Sequence, residues 1–220
     1  MAKVVVFGTG SFAECVNFYF THDSPHEVVA FTVHRDHIGE QTELAGLPVV
    51  PFEDLTETHP PDTHDMFVAV GYAKVNRVRA AICEEAKGKG YSLVSYVCSK
   101  ATSWGDTKIG ENVFIFEDNT IQPFVEIGDG TVLWSGNHIG HHSRIGPYCF
   151  ITSHVVISGH VKVGAYCFIG VNATVRDAIA IGEANVIGSG ALIMKTTKDD
   201  EVYIAPRTKP DARTSDQIGM

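Results

Sequence analysis

Residues 127–146 read IGDGTVLWSGNHIGHHSRIG, and an aliphatic residue returns at every sixth position of this stretch. The same phase continues in both directions, and the position four residues further on is mostly small or short-branched. A period of six matches neither the 3.6-residue turn of an α-helix nor the longer repeats of propellers and ankyrins, and it is the sequence signature of a parallel β-helix. The aliphatic series runs unbroken through Ile109, Ile115, Ile121, Ile127, Leu133, Ile139, Ile145, Ile151, Ile157, Val163, Ile169, Val175, Ile181, Ile187 and Ile193.

Each hexad predicts one short strand and one corner. The aliphatic residue points inward, the glycine that often follows it permits the corner, and the small residue fits the narrow interior. Three hexads form one triangular coil, so residues 18 apart stack about 4.8 Å from each other. Cys149 and Cys167 have this separation, and we expect packed buried thiols there rather than a disulfide or a catalytic group. We expect residues 196–206 to cap the β-helix.

The N-terminal half predicts a small α/β unit. A continuous β-branched run at residues 3–7 indicates a buried strand, and the loop Gly8-Thr9-Gly10-Ser11-Phe12-Ala13 follows it directly. We expect further strands over residues 28–33, 65–71 and 91–96, and helices over residues 14–20 and 75–87. The fold class is therefore α/β plus β, with a Rossmann-like domain over residues 1–97 and a left-handed parallel β-helix with a C-terminal cap over residues 98–220.

The glycine loop allows two interpretations. Its backbone amides, at the start of a helix, could meet a nucleotide or a pyrophosphate, or the loop could be a tight turn without a ligand. A complete dinucleotide site needs more sheet than about 95 residues provide, so NAD is not expected. Asp36, which follows the second predicted strand, is a possible partner for a ribose.

The composition argues against several classes of protein. Lys and Arg total 17 against 26 Asp and Glu, and a formal net charge of −9 is unfavourable for a nucleic-acid binder. No apolar run reaches the roughly 18 residues that span a bilayer, so no membrane partner is expected. The five cysteines are scattered and form no CxxC pair, as is typical of a reduced, cytoplasmic protein.

A truncated Rossmann-like unit that leads into a hexapeptide β-helix resembles the bacterial sugar acyltransferases of the sialic-acid O-acetyltransferase type. Relatives of that type N-acetylate nucleotide-linked aminosugars. The resemblance covers residues 8–13, 46–49, 67–71 and every hexad. It implies a homotrimer that uses acetyl-CoA, bound along the β-helix between neighbouring subunits, and a nucleotide sugar held by the N-terminal unit. We expect the acceptor to be an amine, with a sugar O-acetyltransferase and a catalytically silent trimeric binding protein as alternatives.

The resemblance also implies site residues. The catalytic base of the family is the His of Ile-Glu-His-Asp-Cys-x-Ile-Gly, which matches His141 in residues 139–146, and a Gly one coil later binds the thioester carbonyl, which matches Gly159. His138 and Asn137 are expected to support the base. The expected cofactor contacts are Ser158, Gly159, Gly170, Ala191, Lys195, Lys198 and Arg207. The expected nucleotide-sugar contacts are Gly8, Thr9, Gly10, Ser11, Phe12 and Gly71.

Four positions depart from the pattern of that family. Gly140 stands in place of the Glu before the base and His142 in place of the Asp after it. Phe150 replaces a second His, and Trp134 replaces an Asn. The usual polar neighbours of the base are therefore missing, and the sequence does not say which group orients His141.

Five of the 11 histidines lie within residues 138–160, which indicates a site of some kind. The γ-class carbonic anhydrases bind zinc on the same fold, through a His pair with five-residue spacing. Among the five histidines of this segment no pair has that spacing, so we expect no metal. A metal-dependent hydratase or lyase stays open as an alternative that metal analysis would test.

Overall fold

The structure, a computed structural model, describes residues 2–40 and 42–219. The N-terminal unit is a five-stranded sheet in the order β3-β4-β2-β1-β5, parallel except for the β3–β4 pair. Apolar runs in its central strands are buried because helices and the second unit cover the sheet. Its elements are β1 (Lys3–Phe7), α1 (Ser11–Asp23), β2 (Glu27–Val33), a 3-10 turn (Arg35–His37), β3 (Glu43–Leu44), β4 (Leu47–Pro51), α2 (Leu55–Thr58), β5 (His64–Val68) and α3 (Arg77–Gly88).

The predicted strands and helices of this unit are largely confirmed, with two errors: the strand predicted over residues 65–71 ends at Val68, and the last strand lies elsewhere. β1 has the predicted bounds, α1 is longer at both ends, and α3 begins two residues late. The strand predicted over residues 91–96 is wrong, because only an isolated bridge joins Leu93 to Met66. Residues Tyr96–Val97 instead form β6, which pairs with a strand of the second unit.

The second unit is a left-handed β-helix made of three parallel sheets of two-residue strands. The docked face, which meets the N-terminal unit, contains β6, β8 (Phe114–Ile115), β11 (Val132–Leu133), β14 (Phe150–Ile151), β17 (Phe168–Ile169), β20 (Val186–Ile187) and β22 (Val202–Tyr203). The middle face contains β9 (Thr120–Ile121), β12 (His138–Ile139), β15 (Val156–Ile157), β18 (Thr174–Val175) and β21 (Leu192–Ile193). The charged face contains β7 (Lys108–Ile109), β10 (Glu126–Ile127), β13 (Arg144–Ile145), β16 (Lys162–Val163) and β19 (Ala180–Ile181).

The corners are built differently from the sequence expectation. The left-handed residue lies three positions after the inward aliphatic residue, as at His142 with a φ of 59° and Ala178 with a φ of 55°. The glycine directly after the aliphatic residue is required by close packing instead. A Cβ on Gly140 would lie 2.5 Å from the backbone N of Gly159, and one on Gly164 would lie 2.7 Å from that of Glu183. Successive coils therefore approach too closely there for a side chain.

The small interior residues form ladders along the axis, as predicted. Cys149 and Cys167 are fully buried free thiols, and each Sγ donates to a backbone carbonyl one coil away at 3.1 Å, that of Gly164 and Gly182 respectively. Burial raises the pKa of the Cys149 thiol. Both cysteines thus serve packing, as expected of buried thiols.

Two side chains of the segment before and within α3 attach the N-terminal unit to the β-helix. Arg79 is fully buried, and its guanidinium donates to the carbonyls of Gly130, Tyr148 and Cys149 across two coils, and to those of residues 70 and 71. Asn76, also buried, donates to the carbonyls of residues 166 and 167 on the next coil. Burial lowers the pKa of Arg79 to about 10, so the group stays charged at neutral pH.

None of the helices in residues 2–40 and 42–219 combines the length and the apolar character that crossing a bilayer requires.

Candidate active site

Three imidazoles meet on the corner between the middle face and the charged face. We call this the His corner, and it comprises residues 140–143 and 158–161. His141, His142 and His160 are exposed there. The His142 and His160 rings stack with centroids 4.8 Å apart and 17° between their planes, because the two residues occupy equivalent positions of adjacent coils. The His141 ring stands nearly perpendicular to both.

Gly159 lies against the His141 ring, one coil further along, where the 18-residue period places it. A Cβ on Gly159 would lie 2.9 Å from both Cε1 and Nε2 of His141, so a side chain there would displace the ring. The Gly159 N–H donates to no acceptor in the part of the chain that the structure describes. The next N–H, that of His160, bonds to the His141 carbonyl at 2.9 Å. The unpaired N–H is therefore available to a substrate oxygen beside the imidazole.

His142 is the group that contacts the His141 ring nitrogen. The two Nδ1 atoms lie 3.1 Å apart, so one imidazole donates and the other accepts. Phe124 and His160 pack on the His142 ring, with centroids at 4.6 and 4.8 Å, and restrict its plane. When His141 donates from Nδ1, its Nε2 carries a free lone pair beside Gly159. The sequence did not identify this contact.

The other polar residues expected near the base lie elsewhere. Asn137 is 1% exposed and lies in the interior ladder. Its side chain donates to the Trp134 carbonyl and accepts from the Val155 N–H, so it has a packing role rather than the expected catalytic one. His138 is half-buried on the middle face, and neither a hydrogen bond nor a ring contact joins it to His141 among the described residues. His154 stands on the corner between the docked and middle faces.

The expected cofactor contacts divide into two groups. Ser158 and Gly159 lie on the His corner, and Lys195 stands in the same column as His141, three coils or about 14 Å further along the axis. Lys195 and Lys198 line one pocket of about 420 Å³ near the end of the β-helix. Gly170 and Ala191 do not lie with them. Both are buried, Gly170 on another corner and Ala191 in the interior, because their hexad positions face neighbouring coils. Arg207 is exposed in the terminal segment.

A cleft of about 720 Å³ opens at the carboxyl ends of β1 and β2. Gly8, Asp36, Lys74 and Arg77 line it, and parallel sheets commonly bind ligands at this edge. Gly8 has a φ of +127°, and a Cβ there would lie 2.8 Å from the Ala69 carbonyl, so the turn itself requires glycine. Thr9, Gly10 and Ser11 follow at the start of α1, next to the cleft.

Two of the expected nucleotide-sugar contacts, Phe12 and Gly71, also have structural partners within the chain. Phe12 packs against Phe114 and Phe150 of the docked face, with ring centroids at 5.9 and 6.4 Å, so it belongs to the junction of the two units. The Gly71 carbonyl accepts from Arg79 at 2.7 Å. Trp134, one of the departures from the family pattern, stacks on Phe116 in the same junction, which explains why an aromatic residue stands there.

Three residues that line the candidate sites were not among the site residues expected from the sequence: His160, Lys74 and Arg77. His160 had no place in the expected site, although its 18-residue distance from His142 was a usable signal. Lys74 and Arg77 enter the cleft from the turn before α3, where Lys74, Val75 and Asn76 all have positive φ. A β-branched residue in that region marks a strained turn that no sequence pattern indicated.

Comparison with known proteins agrees with this architecture. The bacterial transferase hexapeptide family (six repeats) matches residues 106–140 and 127–159. No curated protein sequence matches the chain significantly. A solved structure of a histidine variant of perosamine N-acetyltransferase from Caulobacter crescentus, in complex with CoA and GDP-perosamine, is 25% identical. The match covers 92% of this chain and 93% of that chain, with a TM-score of 0.83.

Two further structures share the fold. The acetyltransferase domain of PglB from Neisseria gonorrhoeae is 23% identical over 92% of this chain and 96% of that chain, with a TM-score of 0.79. WeeI from Acinetobacter baumannii is 19% identical over 92% and 96%, with a TM-score of 0.73. The hexapeptide repeats over residues 106–159 thus match the bacterial transferase hexapeptide family, and the chain shares the fold of these three structures. Among these structural neighbours, the 25% identical protein is a perosamine N-acetyltransferase.

Proposed function

We propose that the protein transfers an acetyl group from acetyl-CoA to the amine of a nucleotide-linked aminosugar. The observation that carries the proposal is the exposed His141 imidazole against the unpaired Gly159 N–H, a base and an oxyanion donor on adjacent coils. The 25% identical neighbour, which holds CoA and GDP-perosamine, supports the choice of both substrates.

The chemistry follows from these two groups. The amine nitrogen attacks the thioester carbonyl carbon while Nε2 of His141 accepts the proton of the amine. The Gly159 N–H donates to the oxygen as it becomes negative. When the C–S bond breaks, the CoA thiolate leaves and takes the proton from the His141 imidazolium. The donated hydrogen bond from Nδ1 of His141 to Nδ1 of His142 holds the ring during both transfers.

Lys195 and Lys198 would contact the phosphates of CoA. Their pocket lies on the continuation of the His141–Gly159 column, so an extended thiol arm could run from the phosphates to the His corner along the helix axis. The N-terminal cleft would hold the nucleotide, with Asp36 facing the ribose and Lys74 and Arg77 facing phosphate.

The site would be completed by a neighbouring chain. The N-terminal unit contacts the docked face and the corners at residues 130, 148 and 166, whereas no contact between described residues joins it to the His corner. A single chain thus keeps its cleft and its base on different sides of the β-helix. A homotrimer in which the cleft of one chain faces the His corner of another would bring them together.

The test is release of CoA from acetyl-CoA with a panel of nucleotide-linked aminosugars and the matching hydroxyl sugars. We expect turnover with an amine, and we expect His141→Asn to lower kcat by about 10²- to 10⁴-fold with little change in acetyl-CoA affinity. His154→Asn is the matched control, because His154 is also exposed but stands on another corner. Transfer to the hydroxyl sugars alone would establish an O-acetyltransferase instead, and binding of both substrates without turnover would establish a silent binding protein.

A further inference from the structure

The His corner carries more imidazole than a single general base needs. One ligand atom from each of His141, His142 and His160 can be chosen so that all three lie within 4.8 Å of one another. The 3.1 Å between the Nδ1 atoms of His141 and His142 is close to the roughly 3.3 Å that separates two ligands on a tetrahedral zinc ion. All three rings are exposed, so an ion can enter from solvent.

We propose that His141, His142 and His160 bind one divalent transition-metal ion of the zinc, nickel or cobalt type, and that the bound ion stops acetyl transfer. Neutral imidazole is a ligand that these ions prefer, whereas Mg²⁺ and Ca²⁺ sites in proteins are built mainly on carboxylate oxygens, and residues 140–143 and 158–161 contain no carboxylate. Three nitrogen ligands leave one position of a tetrahedron open to water.

The backbone under the cluster is fixed before any ion arrives. The His160 N–H bonds to the His141 carbonyl at 2.9 Å, and the His142 N–H bonds to the Pro123 carbonyl at 3.2 Å. Phe124 packs on the outer side of the His142 ring. Only side-chain torsions must adjust to bring the third nitrogen within reach, and a fixed frame of this kind favours metal binding.

Metal binding and catalysis use the same imidazole and therefore exclude each other. A coordinated His141 nitrogen has no lone pair left for the proton of the amine, and if Nδ1 is the ligand, Nε2 holds the ring proton. The inhibition rests on the proposed function, whereas the metal binding does not.

The binding test uses Zn²⁺ in isothermal titration calorimetry and Co²⁺ in visible absorption, both with the full-length chain. We expect one ion per chain, and an intense tetrahedral cobalt band. His142→Ala and His160→Ala should each raise the dissociation constant about tenfold or more. His154→Ala is the matched control: it has the same hexad position and left-handed φ, and should leave the constant within about twofold. Ala178 and Ala184 show that this position accepts alanine.

A second measurement needs no variant. Carbethoxylation of the wild-type protein, mapped by mass spectrometry, should be blocked by Zn²⁺ at His141, His142 and His160 but not at His154. Unchanged binding in both cluster variants, or equal loss in the His154 variant, or protection that includes His154, would overturn the proposal.

The inhibition test measures acetyl transfer with and without Zn²⁺, with excess chelator added before the thiol is detected. We expect chelator to restore the rate. With each rate normalised to the metal-free rate of the same protein, the half-inhibiting Zn²⁺ concentration of His160→Ala should be about tenfold higher than that of wild type. Metal binding without any transferase activity would refute the proposed function and leave the site. Activity that saturating Zn²⁺ does not change would refute the inhibitory role.

Discussion

At the scale of single residues, the position of the His141 ring depends on two neighbours, Gly159 and His142. Gly159 offers an N–H and no side chain, so the ring can lie against the backbone of the next coil. His142 supplies a contact to the His141 ring, and it stands where the family that the sequence resembles has an Asp. A neutral imidazole can replace a carboxylate here because the task is to hold one tautomer and one ring plane.

Gly159→Ala should separate these two contributions of Gly159. The variant keeps the N–H, but its Cβ would lie 2.9 Å from the His141 ring and push it aside. We expect kcat to fall about 10²-fold, as displacements of about 1 Å do, with a nearly unchanged melting temperature. Gly105→Ala is the control, since Gly105 occupies the same column and a Cβ there has open space. Steady-state kinetics in which both variants behave alike would contradict the role given to Gly159.

We expect His142 to act as a positioning residue, because it contacts the ring nitrogen of the proposed base, His141. His142→Ala should lower kcat while the KM for acetyl-CoA stays nearly unchanged. His142→Asp should recover most of the loss, because a carboxylate can also accept from Nδ1 of His141. Equal kcat in the alanine and aspartate variants would show that the contact does not orient the base.

At the scale of elements, α3 and α1 determine where the N-terminal unit stands. The Arg79 guanidinium donates to the carbonyls of stacked corners. These carbonyls recur with the coil spacing, and a planar group with five donors fits such a column. Asp23, the last residue of α1, accepts from Ser99 and from the Tyr96 hydroxyl at the start of the β-helix.

Arg79→Met should weaken the attachment of the unit by about 3 kcal/mol or more, because it leaves several buried carbonyls without donors. Trp134 reports the change, since it stacks on Phe116 in the junction and its emission should shift to the red when the unit separates. Denaturant unfolding followed at Trp134 is the measurement. Arg77→Met, two residues away and exposed, should cost less than about 1 kcal/mol. A similar effect of both would mean that the buried bonds are not what holds the unit.

Acid should loosen the same junction through Asp23. Hydrogen bonds from the Ser99 hydroxyl and then the Tyr96 hydroxyl and the Ser99 N–H hold the pKa of the Asp23 carboxyl well below its usual range. The stability that this carboxylate adds is therefore complete above about pH 4, the unfolded value, and is lost as the pH falls toward the lower folded value. Unfolding free energies of wild type and Asp23→Asn should differ by about 1–3 kcal/mol at pH 7 and converge in acid. A constant difference over the whole acidic range would count against this cause.

At the scale of the whole molecule, the N-terminal unit and the His corner occupy different sides of one chain, and the proposed trimer is what joins them. Co-expression of two inactive chains tests this arrangement. One chain carries His141→Asn and the other Arg77→Glu, which reverses a charge in the cleft. If each site combines two chains, about a quarter of all sites are intact when the two chains assemble at random, and we expect about that fraction of wild-type activity. Mixed trimers that stay inactive would indicate that the cleft and the base of one chain work together.

The sequence alone determined the β-helix, its coil length and the neighbourhood of His141 and Gly159. In a stack of equal coils each hexad packs on the residues 18 before and 18 after it, so a single period fixes register, interior ladder and corner columns together. The glycine loop and the first strand could also be predicted from the sequence, because each is formed by residues that are adjacent in the chain. The tertiary structure alone decided which face the N-terminal unit covers, and hence that Phe12 packs in a junction and that Arg79 is buried. It also decided that His142 and His160 join His141 while Asn137 turns inward. Apart from the 18-residue spacing of His142 and His160, these features depend on side-chain directions and on contacts between units that share no period, so no spacing along the chain encodes them.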